Sequence, residues 1–126
     1  MPTTEPIDVV RAFMDAMAVK DYDAALKHVD ADVEYDNVPF AVVRGPAGIR
    51  AVLEPAFAPI LENEFVVRHE ATNGDAVILE RLDRHRFPWG WRELPVTGVI
   101  EVKNGKITLW RDYFDRGQFE TAFTPA

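Results

Sequence analysis

Apolar residues recur at the spacing of one helix face in three segments of the first half of the chain. The segments run from Ile7 to Met17, from Tyr22 to Val29 and from Ile49 to Phe57. Thr3 or Thr4 can cap the first helix and Asp21 the second, because their side-chain oxygens accept hydrogen bonds from amides of the first turn. Pro46 suits the first position of the third helix, which Pro55 should kink or end. We therefore predict three amphipathic helices.

The rest of the chain shows the two-residue alternation of β-strands. Val33–Val38 alternates after a predicted acidic turn at Asp30–Asp32. Further strands are predicted at residues 64–70, 76–87, 94–103 and 106–114. Asn104 and Gly105 should join the last two as a hairpin, because both residue types tolerate a positive φ. Helices followed by an antiparallel meander predict an α+β domain whose helices cover one face of a curved sheet and leave a conical cavity.

Composition limits the classes of protein and partner. The chain has 126 residues, 48% of them hydrophobic, which suits one compact domain spanning residues 1–126. Its net charge is −7 and it has no basic patch, so nucleic acid and anionic membrane surfaces are poor partners. The absence of cysteine excludes disulfides, thiolate metal sites and cysteine nucleophiles. No signal peptide or membrane-length apolar stretch is present, and we expect a cytoplasmic protein.

Two charged residues interrupt the apolar face of the strand predicted at residues 76–87. Arg81 and Asp83 share that face with Val77 and Leu79, because side chains alternate across a strand. Burying a guanidinium and a carboxylate costs several kcal/mol each, roughly, unless attraction and hydrogen bonds offset the cost. Taken alone, such a charged pair is more typical of a structural ion pair than of a catalytic site.

Polar residues on two other strands change this interpretation. Tyr35 and Asn37 must point the same way from their strand, and Asp112 shares its face with Trp110 and Phe114. If these faces meet the charged pair of the middle strand, the floor of the cavity is polar. A cluster of this composition favours catalysis over a structural role.

Three stretches that carry these residues closely resemble the limonene-1,2-epoxide hydrolase family, small cone-shaped domains of the nuclear-transport-factor-2-like (NTF2-like) and SnoaL-like fold. They are Tyr35-Asp36-Asn37-Val38-Pro39, Glu80-Arg81-Leu82-Asp83 and the run from Leu94 to Asp115. The resemblance implies a curved, mixed but mainly antiparallel sheet with the N-terminal helices on its concave side, as in cystatin-like folds. It also implies an epoxide hydrolase without cofactor or metal, in which Asp112 is the base, Asp83 is the acid and Arg81 lies between them. Tyr35 and Asn37 correspond to the residues that help hold the attacking water.

The chemistry of these residue types agrees with that implication. Direct attack of water on an epoxide needs a base for the water proton and an acid for the departing oxygen. Two nearby carboxyls can provide both, because like charges that share a site raise one pKa. Arg81 can bond both carboxyls in a fixed fork. Attack by an aspartate to form an ester is the lesser alternative, since no histidine near Asp112 in sequence offers the separate base that route uses.

Residues near the motifs are candidates for a substrate pocket. Leu94 and Val96 share one strand face and, with Phe114 and Phe119, can form an apolar wall, although ordinary core packing explains them equally well. His85 falls on the face of the charged pair and can contact substrate. The expected partners are therefore water and a small hydrophobic epoxide, terpene-like or cyclic.

Other features receive structural interpretations. We assign Met14 and Phe57 to the core. The three histidines, His28, His69 and His85, do not have the spacing of metal ligands. The apolar Phe87–Trp91 loop suggests a dimer contact or a cavity lid, and we expect a homodimer.

Two other classes of function stay open from the sequence. A ketosteroid-isomerase-like or polyketide-cyclase-like enzyme could use a tyrosine and an aspartate to move protons beside a carbonyl, although Arg81 does not suit the oxyanion hole that an isomerase needs. A non-catalytic ligand-binding module of the same fold is the third class, because folds of this kind carry many functions.

Overall fold

The structure is a computed structural model that describes residues 5–125. Its elements are α1 (Pro6–Ala18), α2 (Tyr22–Leu26), β1 (Val29–Asn37), β2 (Val43–Arg44), α3 (Gly45–Phe57), β3 (Glu62–Asn73), β4 (Ala76–Phe87), β5 (Gly90–Lys103), β6 (Lys106–Tyr113) and α4 (Arg116–Ala122). The apolar stripes of α1 and α3 pack with the buried strand residues into one core, and α3 ends two residues after Pro55. No helix in the described part of the chain has the length and hydropathy to cross a membrane.

The six strands form one mixed sheet in the order β2-β1-β6-β5-β4-β3. The four strands β3 to β6 pair as successive antiparallel neighbours, as the alternation predicted. β1 runs parallel to β6 and so joins the N-terminal part of the chain to the C-terminal strand. The predicted hairpin turn is confirmed, since Asn104 and Gly105 have φ angles of 52° and 76°. The predicted curved α+β architecture is likewise confirmed.

One face of β4 is buried along its whole length. Val77 and Leu79 contribute to the hydrophobic core, and Arg81, Asp83 and His85 continue the same buried face. The predicted side-chain alternation of this strand is therefore confirmed. It turns three polar side chains toward the helices, on the side of the sheet that a soluble domain normally fills with apolar groups.

The helix caps match the sequence in one of two places. Asp21 caps α2 as predicted, with its Oδ1 accepting a hydrogen bond from the Ala24 amide at 3.1 Å. The caps expected for α1, Thr3 and Thr4, lie outside the described residues, and Glu5 occupies the cap position of that helix. The helix starts later than expected because Pro6, with its fixed φ, suits its first position.

Several strand ends differ from the prediction. The acidic turn expected at Asp30–Asp32 is wrong, because pairing with β6 extends β1 back to include it. β3 and β5 start earlier than predicted, at Glu62 and Gly90, where each pairs with the far end of β4. The short helix α4 was not predicted at all. It begins after Asp115, whose Oδ2 accepts a hydrogen bond from the Gln118 amide at 2.8 Å.

Candidate active site

Arg81 links two buried carboxylates. Its Nε and Nη2 donate to the two oxygens of Asp83 at 2.9 and 3.0 Å, and its Nη1 and Nη2 donate to the two oxygens of Asp112 at 3.1 and 3.0 Å. The exposed fractions of these three residues are 2%, 6% and 5%. Each carboxylate thus accepts a two-pronged contact from a single guanidinium, a geometry that lysine cannot provide.

The gap that lets Arg81 reach Asp112 is made by a glycine. Arg81 is on β4 and Asp112 is on β6, with β5 between them, so the two backbones are about 9.6 Å apart. Gly98 of β5 pairs with Leu79 on one side and Asp112 on the other. A Cβ atom on Gly98 would lie 2.6 Å from Asp112 Oδ1 and 2.8 Å from Arg81 Nη1. The guanidinium therefore crosses β5 only where that strand has no side chain.

β1 brings two further polar residues to this point because it runs parallel to β6. Tyr35 pairs with Trp110 and Asn37 with Asp112 in the register of the two strands. The rings of Tyr35 and Trp110 stack with centroids 4.2 Å apart and planes inclined by 19°. The buried indole N–H of Trp110 lacks a partner at hydrogen-bond geometry among residues 5–125, yet it is near enough to Asp112 to lower the pKa of that carboxyl.

Burial sets the protonation of this cluster. It raises the pKa of Asp112 above the ordinary 3.8, against an opposing effect of the Arg81 charge and with a further raising effect of Asp83. Burial also disfavours the charge on Arg81, but the two carboxylates outweigh it and raise the pKa of the guanidinium, which stays charged. Burial, helped by the charge of Asp112, raises the pKa of the Tyr35 hydroxyl, which stays a hydrogen-bond donor.

These groups lie on the wall of a cavity of about 300 Å³. All ten residues predicted for the site line it: Asp112, Asp83, Arg81, Tyr35 and Asn37 as the polar group, and Leu94, Val96, Phe114, Phe119 and His85 as the pocket wall. Leu94 and Val96 are the β5 partners of Asp83 and Arg81, which explains why they face the same space. The structure thus places the candidate catalytic residues and the candidate pocket residues around one apolar cavity.

Other parts of the cavity wall were missed from the sequence. Met14 and Phe57, assigned to the core, are buried core residues that also line the cavity. Phe40 from the segment between β1 and β2, Phe65 on β3 and Phe123 just after α4 line it as well. A signal for Phe123 was present, since an aspartate three residues before a glutamine is a start signal for the helix that ends just before it. Met14 and Phe57 had no such signal, because a residue on an apolar helix stripe looks the same whether it faces core or cavity.

The three histidines are far apart in the fold. His28 precedes β1, His69 contacts Glu80 on the exposed side of β3 at 2.9 Å, and His85 lies in the cavity wall. Within residues 5–125, no group of three or more histidine, aspartate or glutamate side chains is arranged to hold a metal ion.

The Phe87–Trp91 loop packs against the domain itself. Phe87 is buried, and its ring stacks on Trp89 with centroids 4.6 Å apart and planes inclined by 10°. The Trp91 ring lies 4.5 Å from the Arg84 guanidinium. None of the loop residues lines the cavity, so the geometry does not support the lid that the sequence suggested.

Comparison with known proteins places the chain in a family. A family model described as the limonene-1,2-epoxide hydrolase catalytic domain matches residues 4–123. The chain is 35% identical over 106 residues to the epoxide hydrolase EphG of Mycobacterium tuberculosis (strain ATCC 25618 / H37Rv), a match that covers 84% of this chain and 70% of EphG.

Solved structures agree with that assignment. The fold is similar to that of an M. tuberculosis epoxide hydrolase of the same type, with a TM-score of 0.81, 33% identity, and coverage of 96% of this chain and 90% of the other. A SnoaL-like protein from Shewanella denitrificans OS-217 is similar in fold alone, with a TM-score of 0.84, 16% identity, and coverage of 93% and 95%. With the family model covering nearly the whole chain, this protein belongs to the limonene-1,2-epoxide hydrolase family.

Proposed function

We propose that this protein is a cofactor-free epoxide hydrolase that converts a small hydrophobic epoxide into a vicinal diol by direct attack of water. The observation that carries the proposal is the pair of buried carboxyls bridged by Arg81 on the wall of an apolar cavity. A structural ion pair does not need a second carboxylate, a facing tyrosine and amide, or a cavity in front of it. Membership of the epoxide hydrolase family supports the same conclusion.

Asp112 is the base in this proposal. Its raised pKa gives it a higher proton affinity than a solvated carboxylate, which improves its action on water, while the Arg81 charge favours the ionised form that a base requires. Asn37 lies beside it on β1 and lines the same cavity, as does Tyr35. These two groups can hold a water molecule for attack without competing for its proton.

Asp83 is the acid in this proposal. Arg81 supplies one positive charge for two carboxyls, so one proton on the pair leaves the three groups neutral together. In the reaction, the water oxygen bonds to an epoxide carbon as the carbon–oxygen bond of the ring breaks. The water proton goes to Asp112 and the proton of Asp83 goes to the departing oxygen. One proton then has to return from Asp112 to Asp83 to restore the resting state.

The cavity supports a compact, hydrophobic substrate. Its volume of about 300 Å³ is at the lower end of the range of about 300–1,000 Å³ found for small-molecule sites. Most of its lining is aliphatic or aromatic, and the acidic groups are confined to one part of the wall. A terpene-like or cyclic epoxide suits that combination better than a charged or strongly polar one.

Single turnover in oxygen-labelled water tests the mechanism. Direct attack predicts label in the first diol formed, whereas label kept in the protein would establish an aspartyl ester and refute the proposed route. Asp112→Asn and Asp83→Asn should each lower the rate of diol formation by about a hundredfold or more. Asp36→Asn is the matched control, because Asp36 is next to Asn37 but on the opposite face of β1, where it bonds Arg111 at 2.9 Å. Wild-type turnover by Asp112→Asn would contradict the base assignment.

We also propose that the chain forms a homodimer through the outer face of the sheet. Ile78 alternates with the buried side chains of β4, and Val66 pairs with Leu82 on the same outer face. Ile78 and Val66 are 37% and 40% exposed. Exposed apolar side chains on a sheet face are surface that a second copy of the chain can cover. Sedimentation analysis should show a dimer that Ile78→Lys weakens, and a monomer at all concentrations would refute the proposal.

A further inference from the structure

His85 is a polar residue at an otherwise aromatic end of the cavity. It follows Asp83 by two residues on the buried face of β4 and is 2% exposed. Its ring centroid is 5.2 Å from that of Phe123 and 5.7 Å from that of Phe57. The proposed reaction does not use this histidine, so its place in the cavity wall has no explanation in the chemistry described above.

A chain of hydrogen bonds determines which ring nitrogen of His85 carries a proton. The side-chain Nδ2 of Asn63 donates to the backbone carbonyl of Ala18 at 3.2 Å. A carbonyl can only accept, so the amide group of Asn63 faces Ala18 and its Oδ1 faces His85. That Oδ1 lies 2.6 Å from His85 Nδ1. Because Oδ1 is an acceptor, Nδ1 must carry the hydrogen.

The imidazole is neutral at physiological pH. Burial and, to a smaller extent, the positive charge of Arg81 together lower the pKa of His85 to about 4. With the hydrogen on Nδ1, the other ring nitrogen, Nε2, carries a lone pair and acts only as an acceptor. Within the described part of the chain, the polar side-chain atoms that are both closed off from solvent and without a hydrogen-bond partner are Tyr22 Oη, Trp89 Nε1 and Trp110 Nε1. His85 Nε2 is not one of these closed-off atoms. The ring lines the cavity, so Nε2 is within reach of a bound ligand.

We propose that His85 is a specificity-determining residue, whose Nε2 accepts a hydrogen bond from a hydroxyl group on the substrate. The substrate class is then a hydrophobic epoxide with a hydroxyl at the end opposite the reacting ring. The inference rests on the proposed function, because it assigns a second recognition point in the same cavity. Asp83 and His85 are two strand residues apart, so the hydroxyl and the epoxide oxygen should be separated by roughly 7 Å.

A matched pair of substrates tests this assignment. One is a hexane-derived terminal epoxide with a hydroxyl on its opposite end, and the other has a methyl group in place of that hydroxyl. The wild-type protein should favour the hydroxylated epoxide by about tenfold in kcat/KM, the effect of one neutral hydrogen bond. His85→Leu should abolish this preference or invert it.

Two further variants separate a specific effect from a structural one. His85→Gln retains an acceptor oxygen and should recover part of the preference. His69→Leu makes the same chemical change at the exposed histidine of β3 and should leave the preference unchanged. A preference that is equal in wild type and His85→Leu would overturn the proposal, as would a wild-type protein that favours the methyl analogue.

Equilibrium binding distinguishes failure of this inference from failure of the proposed function. The same two epoxides are titrated against Asp112→Asn protein and against Asp112→Asn/His85→Leu protein, with tryptophan fluorescence as the signal. Tighter binding of the hydroxylated ligand that disappears in the His85→Leu background supports the inference. This holds even if the wild-type protein turns over neither epoxide, and that lack of turnover would count against the proposed hydrolase alone. Turnover of both epoxides with no His85-dependent preference in rate or binding would refute the inference alone.

Discussion

Replacing Gly98 by alanine adds one methyl group where Arg81 crosses β5 to reach Asp112. The new Cβ would be 2.6 Å from Asp112 Oδ1 and 2.8 Å from Arg81 Nη1, distances shorter than real Cβ contacts. Both neighbours are buried and held at their other ends, so neither can move away freely. Gly98 is not among the glycines with positive φ, and alanine can adopt its backbone conformation without strain. The expected effect therefore comes from the displaced side chains.

The size of the effect follows from the bonds that must lengthen. The bond between Arg81 Nη1 and Asp112 Oδ1 is already 3.1 Å long, and a buried hydrogen bond to a charged group contributes about 1.5–3 kcal/mol. The alanine also raises the free energy of unfolding by about 0.5–1 kcal/mol, because it restricts the unfolded chain. We expect the free energy of unfolding to fall by about 1–2 kcal/mol, which lowers Tm by roughly 4–8 °C. Displacing Asp112 by even about 1 Å should lower kcat by about a hundredfold.

Urea denaturation and epoxide turnover together measure these effects in Gly98→Ala. Gly48→Ala is the matched control, because a Cβ there meets the Val43 side chain at 3.5 Å, an ordinary contact distance. The control should keep wild-type activity and lose no stability. If Gly98→Ala keeps wild-type stability and kcat, the guanidinium does not depend on the gap in β5, and the positioning argument is wrong.

Three more predictions concern the same cluster. Because Asp112 must be ionised to act as a base and burial raises its pKa, kcat/KM should rise with pH through an acid limb that lies above pH 3.8, and an absent acid limb would contradict the assignment. Trp110→Phe removes an N–H that lowers the pKa of Asp112, so the acid limb of the pH–rate profile should shift to higher pH. Arg81→Lys removes the fork that bonds both carboxylates, and we expect kcat to fall more than tenfold and urea denaturation to show a loss of several kcal/mol, about 3–5 if the pairs are broken outright. If Arg81→Lys kept wild-type kcat and wild-type stability, a positive charge alone would be enough at this position, without the fork of the guanidinium.

The side-chain alternation along each strand made much of the site predictable. Two-residue spacing placed Arg81 and Asp83 on one buried face of β4. The same rule placed Asp112 on the face of Trp110 in β6, and Tyr35 on the face of Asn37 in β1. Each of these statements depends only on neighbours within one strand. Resemblance to a family supplied the step that alternation cannot make, namely that the three strands lie close enough to form one cluster.

Features that depend on long-range pairing were not predictable. The parallel pairing of β1 with β6 joins residues that are far apart in the chain. It also extends β1 over Asp30–Asp32, although the acidic residues of that segment alone predict a turn. The role of Gly98 was hidden for the same reason, because a glycine in a strand gives no hint of which side chain crosses it. Met14 could not be assigned to the cavity, since it belongs to an apolar stripe that also packs the core.

The electrostatics of the cluster argue that it is maintained for chemistry. Because the pKa of Asp112 is higher in the folded protein than in the unfolded chain, the folded state holds the proton more tightly, and stability is lost as pH rises above 3.8 through the folded pKa. At neutral pH the ionised carboxylate therefore makes the fold less stable than a neutral group would. Gly98 adds to that cost, since it removes a packing side chain from the middle of a central strand. The buried ionised Asp112 and the glycine at position 98 are both unfavourable for stability, and both are at the Arg81–Asp112 contact. Stability therefore explains neither feature. The proposed proton transfer would account for both, since a carboxylate that acts as a base on the cavity wall needs a guanidinium that no side chain of β5 obstructs.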